Sequence, residues 1–391
     1  MKSFIPYGRQ FIDDEDIKAV VDVLRSDYLT QGPKILEFEK ALASCCGAEY
    51  AAVFSSGTAA LHAAYFTAGI GPGEEIITSP ITFAATANAA LYLDARPVFV
   101  DTEPDTANLN TALIESALTK KTKAIVPVHY AGHPADLDPI LALAYREGIA
   151  VIEDACHALG AKYRDKKIGS VSDMTVFSFH PVKSITTGEG GAVLTDNKDY
   201  YEKLIMFRTH GITKDKAKFQ VKAENNFKEN LNHDFGDWYY EMQFLGYNYR
   251  ITDMQAALGI SQLKKLDSFI EKRRKIAAFY NSKFRDNPFF EIPPDKEYAY
   301  SACHLYPIRL KDTYAERKKE IFSGLRERGI GVQVHYIPVH LQPFYQALGY
   351  RQGLCPVAED FYQREISLPV HVSLTEEDAK YVVDNILKSF N

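Results

Sequence analysis

DMTVFSFHPVKSITTGEGG, from Asp173 to Gly191, is the stretch on which the fold turns. Met174 to Phe179 is apolar and rich in β-preferring residues, so it reads as a buried strand. Lys183 follows within four residues, and Gly188-Glu189-Gly190-Gly191 is a turn that no helix would carry. A lysine held between a buried strand and a glycine turn can be desolvated. Desolvation lowers an ammonium pKa, and a neutral amine can attack a carbonyl. Read from these residues alone, Lys183 is equally a basic side chain that snorkels to the surface.

Outward from this stretch, strands and helices alternate over the first 210 residues, which predicts an α/β fold with a mostly parallel sheet. Tyr50 to Phe54 is a short strand. It runs through Ser55-Ser56-Gly57-Thr58 into an alanine-rich helix over 59–68. The unpaired N–H groups and dipole at such a helix start favour an anion, although an unliganded serine cap fits the same residues. Strands are expected at 75–78, 98–100, 123–128, 149–153 and 192–195, with helices at 111–118, 135–147 and 198–209. Asp154 ends an apolar strand, where a carboxylate is costly unless paired. It reads either as a turn aspartate or as a partner for a cation.

Residues 1–12 read as an arm. Asp13 or Asp14 caps a helix with Ile17, Val20, Val21 and Leu24 on one face. Leu29-Thr30-Gln31-Gly32-Pro33 breaks the chain before a helix that ends at Gly47. Residues 212–243 are long, charged and weakly periodic, and are expected to form a flap carrying Trp238. A single long helix is expected from Asp253 to Phe284, with Lys272-Arg273-Arg274-Lys275 on its solvated face. Strand 304–308, helix 313–328, strand 331–335 and helix 375–389 complete the pattern.

The length of 391 residues argues for two domains, divided near residue 248 into 1–247 and 248–391. A net charge of −6 points away from nucleic acid. No apolar run reaches the ~18 residues needed to span a bilayer. The N-terminal residues lack an apolar signal core, which points to the cytoplasm. The cysteines, Cys45, Cys46, Cys156, Cys303 and Cys355, are odd in number and contain no Cys-x-x-Cys pair. Neither a disulfide framework nor a zinc site is expected.

Ser178-Phe179-x3-Lys183 with Gly188-Glu189-Gly190-Gly191 resembles the cofactor-lysine motif of the DegT/StrS family of nucleotide-sugar aminotransferases. The resemblance extends over essentially the whole chain. It implies an aspartate-aminotransferase-type (fold type I) fold, with a mostly parallel central sheet, a smaller C-terminal α/β domain and a homodimer with shared active sites. It also implies that Lys183 holds pyridoxal 5′-phosphate (PLP) as a Schiff base and that Ser178, Gly57 and Thr58 take the phosphate. Phe83 would stack on the pyridine ring. Glu153-Asp154-Ala155-Cys156-His157 matches the family's Glu-Asp-Ala-x-(Gln/His) pattern. That match assigns Asp154 to the pyridinium nitrogen and His157 to the neighbourhood of the phenolic oxygen. Gly246-x-Asn248-x-Arg250 matches a signature whose asparagine reaches the phosphate of the other subunit.

The same resemblance implies glutamate as amino donor, with Lys183 as the base and acid that moves the proton. The substrate candidates are Thr30, Gln31, Arg250, His335 and Tyr336. FHPVKSITTGEGGAV around Lys183, His335-Tyr336-x-Pro338 and Leu29-Thr30-Gln31-Gly32 resemble the branch that serves pseudaminic acid biosynthesis. That branch aminates C4 of a UDP-linked 4-keto-6-deoxy-N-acetylhexosamine. The long 212–243 segment departs from it and leaves open a D-configured UDP-sugar or a dTDP- or GDP-linked one. Sugar dehydratases of this fold replace the lysine by histidine, so Lys183 argues against them. A non-catalytic PLP-binding regulator is the remaining alternative.

Overall fold

The computed structural model describes residues 4–220 and 236–390. The large sheet is built from β1 (Tyr50–Phe54), β2 (Glu75–Thr78), β3 (Arg96–Phe99), β4 (Thr122–Val126), β5 (Ala150–Asp154), β6 (Met174–Ser178) and β7 (Gly191–Thr195). Their order is β1-β7-β6-β5-β4-β2-β3, and only β7 runs against the others. The strands are largely apolar and buried because helices cover both faces, with Arg96 on the edge strand β3 exposed. The turn before β7 must be glycine at Gly191. A Cβ there would fall 2.5 Å from the Ser56 carbonyl oxygen.

The helices of the first half are α1 (Asp14–Leu24), α2 (Pro33–Cys46), α3 (Gly57–Thr67), α4 (Ala85–Leu91), α5 (Thr111–Ala117), α6 (Leu137–Glu147) and α7 (Lys198–Phe207). Asp13 caps α1 in a capping box with Asp16, and α2 ends on left-handed Gly47. The buried face of α1 is not the expected one. Asp16 and Val23 are buried, whereas Ile17 and Leu24 are exposed. Asp16 turns inward because Gln262 and Lys265 meet its carboxylate at 2.7 and 2.9 Å.

The expected helix 253–284 is two helices, α8 (Asp253–Leu263) and α9 (Leu266–Phe284). The break lets Lys265 reach Asp13 and Asp16 while Leu266 and Ile270 pack beside Gly160. α8 lies against α1 and α2. Arg273 is not on a solvated face. It is buried on α9 and donates to the Val370 carbonyl at 2.8 Å.

α10 (Asp312–Ala315) and α11 (Lys318–Glu327) replace the expected helix 313–328, and α12 (Pro343–Ala347), α13 (Pro356–Arg364) and α14 (Glu376–Lys388) follow. A smaller antiparallel sheet of β8 (Phe290–Glu291), β9 (Tyr306–Leu310) and β10 (Glu365–Leu368) packs with α9, α11 and α14 around a second core. The expected strand 331–335 is not a strand. Gln333 makes one bridge to Ser367, and the next available N–H, that of His335, goes to the Glu365 carboxylate instead of a ladder. The arm is anchored here, since Gly331 donates to the Ile5 carbonyl at 2.6 Å.

Residues 221–235 of the expected flap lie outside the described residues. Its base is described: Ile212–Thr213 pairs with Glu241–Met242, and Trp238 is exposed. Among the described residues, no helix is long and apolar enough to cross a membrane.

Candidate active site

The parallel strands deliver their functional residues at their C-terminal ends, where open α/β sheets take ligands. β5 ends on Asp154, and β6 runs through Ser178 toward Lys183. Asp154 is buried, with Oδ2 accepting the Thr86 hydroxyl at 2.6 Å and Oδ1 accepting the Cys156 N–H at 3.2 Å. Thr86 in turn sits 2.6 Å from the Thr82 hydroxyl, one helical turn back on the approach to α4. A buried carboxylate holding these two neutral donors has capacity for one more donor.

Lys183 is half-buried, and desolvation lowers its ammonium pKa, opposed by the nearby Cys156 and Asp154. His157 is buried, with Nε2 3.1 Å from the Tyr336 hydroxyl and its ring 4.4 Å from that of His304. Its Nδ1 has no hydrogen-bond partner among the described residues. Burial drives the His157 imidazole far below its ordinary range, and Lys183 and His335 push the same way. His157 is therefore neutral. Tyr336 lies beside the exposed Phe83, with ring centroids 6.3 Å apart.

Opposite β6, the Ser56 hydroxyl caps α3 by accepting the Ala59 N–H at 3.1 Å. The first turn of α3, Gly57-Thr58, faces Ser178. A Cβ on Gly57 would lie 2.9 Å from the Ser178 Cβ and 3.2 Å from its hydroxyl. The helix start and Ser178 thus form a close cradle of free donors suited to an anion.

His335 and Tyr336 enter this cluster from the smaller lobe, tied by the Tyr130 hydroxyl donating to the His335 carbonyl at 2.7 Å. Four of the other candidates do not join it within one chain. Gln31 and Arg250 line a groove of about 310 Å³ whose walls do not include Lys183, Asp154 or His157. Thr30 bridges to Thr252 at its edge, and Asn248 is exposed and bridges to Thr209. Sequence reading missed Thr86, His304, Glu365 and Ser367. Thr82 and Thr86 stand at i, i+4 in an otherwise apolar stretch, a spacing that marks one polar stripe facing inward.

The sequence model of the DegT/DnrJ/EryC1/StrS aminotransferase family matches residues 10–387. The chain belongs to that family. The UDP-4-amino-4,6-dideoxy-N-acetyl-beta-L-altrosamine transaminase of Campylobacter jejuni is 41% identical over 385 residues, 98% of this chain and 96% of that one. Helicobacter pylori PseC, an aminotransferase of pseudaminic acid biosynthesis, superposes with a TM-score of 0.89 at 38% identity, covering 99% of both chains. The PLP form of Spr1654 from Streptococcus pneumoniae gives a TM-score of 0.90 at 30% identity, over 99% of this chain and 98% of that one. The fold is that of the fold type I PLP enzymes. As a family member the chain is a transaminase, and its cofactor is PLP.

The residues present fit PLP. A desolvated lysine can take an aldehyde, the Gly57–Ser178 cradle can take a phosphate, and Asp154 has room for a ring N–H.

Proposed function

We propose that this aminotransferase moves the amino group of glutamate to C4 of a UDP-linked 4-keto-6-deoxy-N-acetylhexosamine, preferring the L-configured sugar of pseudaminic acid biosynthesis. The observation that carries the reading is the pairing of desolvated Lys183 with buried Asp154 at the ends of adjacent strands. The names and identities of the altrosamine transaminase and PseC support the sugar.

In this reading Lys183 holds PLP covalently through Nζ, Gly57, Thr58, Ser178 and the partner's-side Asn248 hold its phosphate, and Phe83 covers the ring face. PLP supplies an electron sink, and Asp154 keeps its ring nitrogen protonated. Lys183 Nζ, freed when the amino group of glutamate takes its place, removes the α-proton of glutamate, and in its ammonium form it later delivers a proton to C4 of the sugar. His157, fixed by Tyr336, supplies an uncharged hydrogen-bonding ring beside the cofactor. The large lobe, 1–247, carries the cofactor site, and the smaller lobe, 248–391, brings His335 and Tyr336 to the sugar.

The chain is read as a homodimer in which Thr30, Gln31, Asn248 and Arg250 complete the neighbour's site. Their grouping in or beside a groove apart from Lys183 supports this. The cysteines are free thiols, which suits a reducing compartment such as the cytoplasm.

The test is mass spectrometry of the sugar nucleotide after incubation with purified protein, PLP and glutamate. Replacement of the keto oxygen by an amine on the L-configured UDP-sugar is expected. Turnover only on a D-configured UDP-sugar, or on a dTDP- or GDP-sugar, overturns the sugar assignment. No turnover on any keto-sugar nucleotide overturns the sugar reading altogether.

A further inference from the structure

His335 ends a buried chain of hydrogen bonds that the transamination chemistry does not use. Its Nδ1 is 2.8 Å from the Ser367 hydroxyl. Ser367 donates to Oε1 of Glu365, a fully buried residue on the same strand, β10. The other carboxylate oxygen, Oε2, accepts the His335 backbone N–H at 2.9 Å. The Nε2 of His335 has no partner among the described residues, yet it is not sealed from solvent. Burial, and then the charge of Lys183, holds the His335 imidazole down at about 3, so the ring is neutral at working pH.

A neutral imidazole carries one N–H, and its partners decide which nitrogen bears it. With Glu365 ionised, the Ser367 O–H points to Oε1. The serine oxygen then accepts Nδ1–H, and Nε2 offers a lone pair to the cleft. One added proton on Glu365 reverses the chain. The carboxyl O–H donates to the Ser367 oxygen and the serine O–H turns to Nδ1. The ring proton leaves Nδ1, and Nε2 takes one from cleft water. His335 stays neutral, and the net change is the single proton on Glu365.

We propose that Glu365 and Ser367 are positioning residues that fix the His335 tautomer, presenting Nε2 to the sugar nucleotide as an acceptor for a hydroxyl. The proposal rests on the reading of His335 as a sugar contact. Burial lifts the Glu365 carboxyl to about 7, against the Ser367 and His335 donors and Lys318, so the tautomer changes within the working range of pH. Lys318, on α11, faces this carboxylate and is itself lowered by burial. Tyr130 and Tyr336 also face it, and burial holds both phenols protonated. Arg309 stands opposite Glu365 across β9–β10 but is engaged by Glu291.

The experiment is the pH dependence of KM and kcat for the UDP-keto sugar between pH 6 and 9, in wild type, Glu365→Gln, Ser367→Ala and Ser367→Thr. In wild type, KM should fall about tenfold as pH rises through 7, the worth of one hydrogen bond, with kcat little changed. In Glu365→Gln the amide oxygen keeps the His335 N–H and the amide NH2 donates to Ser367. This locks Nε2–H and holds KM at its acid value across the range. Ser367→Ala should also flatten the profile, and Ser367→Thr should restore it. Nitrogen NMR of histidine-labelled protein reads the tautomer without substrate. His335 Nε2 should pass from unprotonated to protonated as pH falls through 7 in wild type, and stay protonated in Glu365→Gln. A wild type that turns over with a flat KM overturns the relay alone, as do variants that keep the wild-type profile or an unchanging tautomer. Absence of turnover on any UDP-sugar, with the NMR transition present, overturns the sugar reading and leaves the relay.

Discussion

The Thr86 hydroxyl donates to Asp154 Oδ2 at 2.6 Å, and this bond orients the last carboxylate of β5. Thr86 is fixed in turn by the Tyr65 hydroxyl, which donates to its carbonyl at 2.9 Å. Removing a donor to a buried charged acceptor costs about 1.5–3 kcal/mol, or roughly tenfold to a hundredfold if it falls on the transition state. Thr86→Ala should lower kcat by that factor while PLP stays bound, and Thr86→Ser should recover most of it. Steady-state kinetics with cofactor content measured in parallel checks this. Equal rates in Thr86→Ala and wild type would show that Asp154 needs no such support.

Lys183 carries the sharpest consequence. Borohydride reduction of the PLP-loaded protein should attach the cofactor to Lys183, read by peptide mass spectrometry. Lys183→Ala should lose turnover by a factor on the order of 10⁴. Burial lowers the Lys183 pKa, and Asp154 is among the groups holding it up. Asp154→Asn removes that negative charge, so the ammonium becomes easier to deprotonate. The acid limb of the kcat profile should therefore move to lower pH as the rate falls. A shift to higher pH would contradict the electrostatic arrangement.

Gly57 tests the phosphate cradle separately from the chemistry. In Gly57→Ala the new methyl must displace Ser178, whose Cβ would be only 2.9 Å away. PLP affinity should fall about tenfold or more, measured by cofactor retention on dialysis, with the thermal midpoint of the PLP-free protein little changed.

The positions of the large-sheet strands followed from apolar runs and glycine turns, because most of these strands are buried between helices, whereas their order across the sheet came only from the structure. Asp154, His157 and Lys183 were singled out through the motifs of the family resemblance, and the structure brings them close to one another. Thr86, Glu365 and Ser367 were not singled out. They act through contacts 68 and 32 positions apart along the chain, Thr86 with Asp154 and Ser367 with His335, and only the spacing of Thr82 and Thr86 hints locally at any of them. Arg273 misled for the opposite reason. A run of four basic residues reads as solvated, but the third turn of α9 buries the second of them against the Val370 and His304 carbonyls. The α1 face was misread because Asp16 is held inward by Gln262 and Lys265, 246 and 249 positions downstream.

His62 makes a prediction about stability. It is buried among Tyr92, Phe207, Tyr247 and Tyr249, with Nδ1 3.2 Å from the Tyr249 hydroxyl, and burial lowers its pKa from 6.5 to about 4. The unfolded chain therefore binds a proton near pH 6.5 that the folded chain refuses until about 4. Stability from this group is complete above pH 6.5 and is lost as pH falls toward 4, by up to about 3 kcal/mol. His62→Phe should flatten the slope of thermal midpoint against pH in that window while leaving the signal at pH 8 close to wild type. An unchanged slope would mean that His62 titrates normally.

The final prediction concerns assembly. Gln31 and Arg250 share a groove apart from Lys183, with Thr30 and Asn248 beside it, and the exposed Asn248 is set by its bridge to Thr209. If these residues complete the neighbour's site, a dimer has two sites, each built from the lysine of one chain and the asparagine of the other. Lys183→Ala and Asn248→Ala would each be crippled alone. After unfolding together and refolding as an equal mixture, half of the dimers should be mixed, and each mixed dimer should carry one site with both residues intact. That predicts recovery of about a quarter of wild-type activity, since half the dimers hold half their sites. Sedimentation of the refolded mixture must first show dimers. Dimers without recovered activity would place Asn248 in the site of its own chain.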